Sequence, residues 1–178
     1  ELLQIEKARK LDITEEVYYD IIKKKTASLI ASCTSIGAKS AGMDDETVKK
    51  MWSFGESVGM AFQIKDDLFD FNRNGSTGKP SGNDIREKKM TLPLIYVLNH
   101  SKNSDRRRII HDVKNKNIGN KKIDEIIDYV NNNGGIEYSE NKMHEYITNA
   151  NDILLKLPDN QARESLSSLL EYTITRKK

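Results

Sequence analysis

Apolar residues recur at three- and four-residue intervals almost from one end of the chain to the other, and sustained strand-type alternation occurs nowhere. A chain with that period buries its apolar side chains as helices packed on helices, so the expected fold class is all-α. Only three prolines interrupt the pattern, at positions 80, 93 and 158. From Thr14 onward, Val17, Tyr18, Ile21, Ile22, Lys25, Leu29, Ile30, Cys33 and Ile36 predict one long helix. Thr14 supplies its cap, Glu15 and Glu16 its acidic first turn, and Gly42 its end. A second long helix is predicted from Asp44 to about Phe71, where Asp44 and Asp45 read as a cap that favours the helix dipole. Its apolar residues cover more than one face, and Gly55 and Gly59 lie four apart in its middle. Such a helix should be packed on most sides, with close backbone approach at the glycines. Further helices are expected at about 91–100, 104–115, 120–132, 136–156 and 160–176, with Gly134 and Gly135 as a stop and Pro158 as a break.

The length of 178 residues, with 37% hydrophobic and 31% charged, suits a single domain over 1–178. Lys and Arg total 29 against 27 Asp and Glu, and a net charge of +2 gives no overall footprint for nucleic acid or an anionic membrane. Two short basic runs, Lys23 to Lys25 and Arg106 to Arg108, read either as solvated helix faces or as local anion sites. The single cysteine, Cys33, excludes an intrachain disulfide and a zinc site built on several cysteines. Set among Ala31, Ser32 and Ile36, it is expected to be a small core residue, in a reducing and hence cytoplasmic setting. No apolar stretch approaches the roughly 18 residues that span a bilayer. The chain starts Glu1-Leu2-Leu3-Gln4, without Met and already helical in pattern, so a preceding segment is expected. His100, His111 and His144 have no mutual metal-ligand spacing and are expected at surfaces or helix ends. Trp52, Tyr18, Tyr19 and Tyr96 are expected in core or interface, and Met51, Phe54 and Ala61 in the core rather than along a ligand tunnel.

The segment Phe62-Gln63-Ile64-Lys65-Asp66-Asp67-Leu68-Phe69-Asp70 places three carboxylates on an otherwise apolar helix. Asp66 and Asp70, four apart, share a face, and Asp67 adjoins them. Like charges at that spacing repel by a few tenths of a kcal/mol when exposed, and by more in dry surroundings. Magnesium offers a compensation, because it takes hard oxygen ligands and binds through one or two carboxylates plus phosphate oxygens. Gln63, one turn earlier, can donate to a phosphate or to a metal-bound water. An acidic surface patch near a helix end is the alternative for the triplet taken alone. Between Asn72 and Asn83 lie Gly75, Gly78, Pro80 and Gly82, a loop of about a dozen residues, and loops of that length in compact domains are usually functional. That loop carries the glycine-bracketed Lys79, suited to fold over an anion, and leads into Asp84-Ile85-Arg86-Glu87-Lys88-Lys89-Met90-Thr91-Leu92-Pro93.

With these motifs in order, the sequence resembles the trans-isoprenyl diphosphate synthases, or polyprenyl synthetases. Residues 62–70 look like that family's second aspartate-rich motif, and 78–93 like its Gly-Lys-x-x-Gly-x-Asp loop and Lys-x-Thr-Leu-Pro continuation. Lys25-Thr26 looks like its upstream Lys-Thr pair. The resemblance is close over residues 1 to about 100. It implies a helical bundle of the isoprenoid synthase type, here without its N-terminal helices. The implied reaction adds isopentenyl diphosphate to an allylic diphosphate, giving a trans-polyprenyl diphosphate and pyrophosphate, with Mg2+ as cofactor and a homodimer as the common assembly. Carried over residue by residue, Asp66 is the principal metal ligand, with Asp67 and Asp70 in support. Lys25, Thr26, Gln63, Lys79 and Lys89 contact the allylic diphosphate, while Asp84 and Glu87 organise the loop. Lys88 departs from the family, which has Gly or Asn there. The family's first aspartate-rich motif and its isopentenyl diphosphate site have no counterpart in these residues, so the 178 residues alone are expected to be inactive. Two other readings stay open: a non-catalytic partner subunit, and a helical interaction module with an incidental acidic patch.

Overall fold

The computed structural model describes residues 14–72, 81–115 and 117–176, and Lys79 with its flanking loop lies outside them. Among the described residues the secondary structure is helical throughout: α1 (Glu15–Ile22), a π-helical segment (Lys23–Ala27), α2 (Ser28–Ser40), α3 (Asp45–Phe69), α4 (Asn83–Arg86), α5 (Leu92–His100), α6 (Asn103–Lys114), α7 (Asn120–Asn132), α8 (Gly135–Leu154) and α9 (Gln161–Thr175). The all-α expectation holds, and most predicted boundaries fall within two residues of those observed. Caps explain several of them. Thr14 Oγ1 accepts from the Val17 amide at 3.3 Å, Asp44 Oδ1 from the Thr47 amide at 2.7 Å, and Asn160 Oδ1 from the Arg163 amide at 3.0 Å. Gly134 ends α7 with φ +80°, the left-handed backbone that favours glycine. The predicted single helix from Thr14 to Gly42 is interrupted, because five residues in its middle take the wider π turn.

Backbone proximity divides the chain into two units. The first comprises Glu1–Ile21, Asp66–Glu140 and Lys177–Lys178, and its core is α5, buried on almost every side through Leu92, Pro93, Leu94, Ile95, Val97 and Leu98. Helices α6 and α7 contact α5, burying Ile109 and Val113 from one and Ile123, Ile126, Ile127 and Val130 from the other. Gly82 is required twice over in this unit: its φ is +77°, and a Cβ there would stand 2.1 Å from Ile123 Cγ2.

The second unit comprises Ile22–Lys65 and Asn141–Arg176. Its core gathers Met51, Phe54 and Val58 of α3, Ala150 and Leu154 of α8 and Leu170 of α9. Met51 and Phe54 are thus core residues, as is Ala61, which is fully buried. The π segment and α2 lie against α3 at backbone distance. A Cβ on Gly59 would be 2.5 Å from Ala27 Cα, and one on Gly55 would be 2.7 Å from Ala31 Cα. Ala27 and Ala31 are fully buried, and Thr34 Oγ1 donates to the Met51 carbonyl at 2.6 Å across the same contact.

Two expectations are corrected. Cys33 is exposed rather than in the core, and its neighbours on that face, Leu29 and Ile36, are 66% and 62% exposed. The reason is geometric: α2 turns its small residues, Ala31 and Ser35, toward α3, which leaves Leu29, Cys33 and Ile36 on the opposite side. Trp52 lies on an exposed face of α3, which corrects the core half of its expectation. Among the described residues no helix is long and apolar enough to cross a membrane.

The glycine contacts yield a paired prediction. Gly59→Ala places a methyl group against the Ala27 backbone and should lower stability by about 1–3 kcal/mol despite the better helix propensity of Ala. Gly37→Ala, in α2 with nothing within 4 Å of the new Cβ, should raise stability by up to about 1 kcal/mol. Urea denaturation of the two variants reads the opposite signs.

Candidate functional site

The residues singled out by sequence fall into two clusters, one in each unit. In the second unit, Lys25 and Thr26 sit within the π segment, where the backbone bonding shifts from i→i−4 to i→i−5. Thr26 Oγ1 donates to Gln63 Oε1 at 3.0 Å. That bond depends on the close packing of Ala27 on Gly59, which brings the two backbones near enough for a threonine and a glutamine to meet. Gln63 is only 9% exposed, so the bond fixes its amide plane. Lys25 is exposed and pairs with no carboxylate among the described residues, whereas Lys23 is bound to Glu56 at 2.9 Å. Sequence reasoning missed one neighbour of this cluster. The Arg176 guanidinium lies 4.0 Å over the Phe62 ring, and its Nη2 donates to the Phe62 carbonyl at 3.4 Å. The two residues are 114 positions apart, so no local pattern announces the contact.

In the first unit, α3 ends with the three carboxylates. Asp67 is 8% exposed, and its Oδ2 accepts from the Tyr18 hydroxyl at 2.8 Å. A charged-acceptor hydrogen bond of that length compensates part of the desolvation of a buried carboxylate. Asp70 reaches forward in the chain: Oδ1 accepts from the Asn83 amide at 2.8 Å and Oδ2 from the Asp84 amide at 3.0 Å. Its own carbonyl accepts from the Gly82 amide at 2.9 Å, so one residue anchors the start of α4 through three backbone amides. Asp66 is partly exposed on the same two turns.

Lys89 lies beside Asp84 and Glu87, its Nζ 3.1 Å from Asp84 Oδ1 and 2.7 Å from Glu87 Oε2. Burial opposes its charge, but the hydrogen bonds and negative charges of Glu87 and Asp84 outweigh it and raise the ammonium above its ordinary range. Asp84 and Glu87 thus hold Lys89, while the loop they were expected to organise lies largely outside the described residues. Lys88 has φ +59°, a left-handed conformation at the position where Gly or Asn is expected from the resemblance. The turn is kept with a lysine in it, and Lys88 Nζ donates to the Lys114 carbonyl at 2.8 Å, leaving Lys89 as the cation next to Asp84.

Among the described residues no three His, Cys, Asp or Glu side chains stand close enough to cage a metal ion. The donor set fits magnesium held in another way, by one or two carboxylates with water and phosphate oxygens completing the shell, because every candidate ligand on α3 is a hard oxygen. The three histidines lie on exposed positions and contribute no ligands here.

Comparison with known proteins gives a consistent picture. The family model described as polyprenyl synthetase matches residues 1–130. A short chain isoprenyl diphosphate synthase from Methanothermobacter thermautotrophicus is 34% identical over 168 residues, 94% of this chain and 51% of that protein. Heptaprenyl diphosphate synthase component 2 from Bacillus subtilis is 32% identical over 178 residues, 99% of this chain and 50% of that protein. The crystal structure of geranylgeranyl pyrophosphate synthase from Bacteroides thetaiotaomicron superposes with a TM-score of 0.90 at 39% identity, covering 98% of this chain and 58% of that one. The chain thus spans about half the length of the curated relatives it matches.

Two substitutions test the donor arrangement. Asp70→Ala removes both acceptors from the start of α4 and should cost about 1–2 kcal/mol, with faster hydrogen exchange at the Asn83 and Asp84 amides. Tyr18→Phe keeps the ring but leaves Asp67 without its hydroxyl donor, and should cost about 1–3 kcal/mol in thermal or urea unfolding at neutral pH.

Proposed function

Because the chain belongs to the polyprenyl synthetase family, we propose that the whole protein condenses isopentenyl diphosphate with an allylic diphosphate to give a trans-polyprenyl diphosphate and pyrophosphate. The observation that carries the reading is the gathering of Asp66 and Asp67 in the last turn of α3 with Asp70 directly after it, two of the three already oriented by donors from other elements.

In this reading Asp66 is the principal ligand of Mg2+, with Asp67 and Asp70 in direct or water-mediated support. Each carboxylate oxygen that accepts one protein hydrogen bond keeps a second lone pair for that purpose. The metal, when bound, neutralises charge on the diphosphate as it leaves. Lys25, Thr26, Gln63, Lys79 and Lys89 contact the allylic diphosphate. Thr26 holds the Gln63 carbonyl oxygen, so the amide nitrogen is the end turned to phosphate. Lys89, kept charged by Glu87 and Asp84, supplies a fixed positive partner. The carbon–oxygen bond of the allylic diphosphate breaks, pyrophosphate departs with the electron pair, and the double bond of isopentenyl diphosphate attacks the allylic carbon. Loss of a proton then restores a double bond. The 178 residues on their own lack the first aspartate-rich motif that the resemblance calls for, and we expect them not to turn over. A homodimer in the cytoplasm, with no nucleic acid as partner, completes the reading.

A partner-subunit role is the second reading, favoured by one relative whose name marks it as a component. It differs in requiring no metal-dependent diphosphate binding. Pyrophosphate titrated calorimetrically into the full-length protein, with and without magnesium, separates the two. The wild type should bind far more tightly with the metal present, and Asp66→Ala should lose that enhancement and about 100-fold or more in turnover. Equal heats for both proteins would sink the assignment.

A further inference from the structure

Asp67 is the most deeply buried of the three aspartates, and the hydroxyl that meets it comes from a side chain 49 residues earlier. That side chain, Tyr18, is only 3% exposed, and its ring stands edge-on to Tyr19, with centroids 5.5 Å apart and planes at 61°. Tyr19 Oη donates to Glu15 Oε1 at 3.0 Å, and Tyr138 Oη donates to the same oxygen at 2.6 Å. The Tyr138 ring in turn stacks on Tyr96, at 4.2 Å and 17°. Tyr96 belongs to α5, the most buried helix of the first unit. A line of contacts therefore runs from that core through Tyr138, Glu15 and Tyr19 to Tyr18, and ends on Asp67 Oδ2. Every residue in it belongs to the same unit.

Packing alone does not call for this arrangement. An apolar pair at 18 and 67 would fill the same space without desolvating a carboxylate, and burying a charge is weak evidence for stability. On the reading of α3 as a magnesium site, we infer that Tyr18 is a positioning residue that acts through Asp67. Magnesium demands near-octahedral ligands at roughly 2.0–2.1 Å, and a carboxylate that swings about its side-chain bonds gives up that freedom each time the ion binds. The Tyr18 hydroxyl holds one oxygen beforehand, so the ordering is done in folding. A phenol suits the task because it is neutral at neutral pH: it orients the carboxylate and leaves its charge for the metal, whereas a lysine in its place would compete with the ion. The Glu15 anchor limits how far α1 can shift, and with it how far the hydroxyl can stray from Asp67.

The inference rests on the proposed function, and the experiment separates the two. Pyrophosphate is titrated calorimetrically into the full-length protein at graded magnesium, and the metal concentration that gives half of the tightening is read for each variant. Tyr18→Phe should raise that midpoint about 10-fold or more, with the tightening recovered at saturating metal. In an Asp67→Asn background the same substitution should shift it by less than about two-fold, because the route is gone. Tyr138→Phe keeps the ring on Tyr96 but takes one donor from Glu15, and should move the midpoint the same way by a smaller factor. Ile109→Val destabilises the same unit at a buried position of α6 and should leave the midpoint where it is. An unmoved midpoint in Tyr18→Phe, an equal shift in the Asp67→Asn background, or a like shift in Ile109→Val would overturn the positioning role. If magnesium tightens binding in the wild type and Asp66→Ala loses that effect, the metal site stands even then. No tightening by magnesium in the wild type would overturn the proposed reaction and the positioning role together.

Discussion

The arrangement around Thr26 and Gln63 depends on how closely two helices approach. Gly55 and Gly59 on α3 meet Ala31 and Ala27 at distances that leave no room for a single added methyl group. Dispersion contacts between backbones at that range are dense, and they need no flexible side chain to be ordered. The approach sets the geometry of its surroundings. It lets the Thr34 hydroxyl reach the Met51 carbonyl, and it places a threonine and a nearly buried glutamine within hydrogen-bond distance. Larger residues at these positions would push the helices apart and strand the glutamine oxygen without a donor, at a cost comparable to the bond itself.

In the other unit the governing problem is negative charge. Three carboxylates within five residues repel, and one of them is nearly buried. Donors from other elements meet two of them: a tyrosine hydroxyl for Asp67 and two backbone amides for Asp70. Neutral donors stabilise an ionised carboxylate without cancelling its charge, and they orient Asp67 and Asp70. The cation of the neighbourhood, Lys89, is held instead by Asp84 and Glu87.

Much of this was legible in the sequence because it is local. The caps at Thr14 and Asp44, the stop at Gly134 and the helix lengths follow from residues within one or two turns of each boundary. The placing of Asp66, Asp67 and Asp70 together at the end of α3 was also within reach, through their spacing. Other features had no local signal. The π turn at Lys23–Ala27 is a change of hydrogen-bond partner that composition does not encode. A three-four period shows that a helix has apolar faces but not which is covered, so Cys33 and Ile36 were assigned inward when the small residues of α2 occupy that side. Asp70 as the anchor of amides 13 and 14 positions away, and Arg176 on Phe62, are contacts made by folding alone.

The glycine–alanine contact has a further consequence for how this sequence can drift. Ordinarily a larger residue on one helix is accommodated by a smaller one opposite. Here α3 already presents glycine, the smallest side there is, so Ala27 and Ala31 have nothing left to trade against. Their only permitted neighbour in mutational space is glycine itself, which loosens the helix that bears it. The four sites behave as a ratchet, in which variation accumulates everywhere around the seam and is turned back at it.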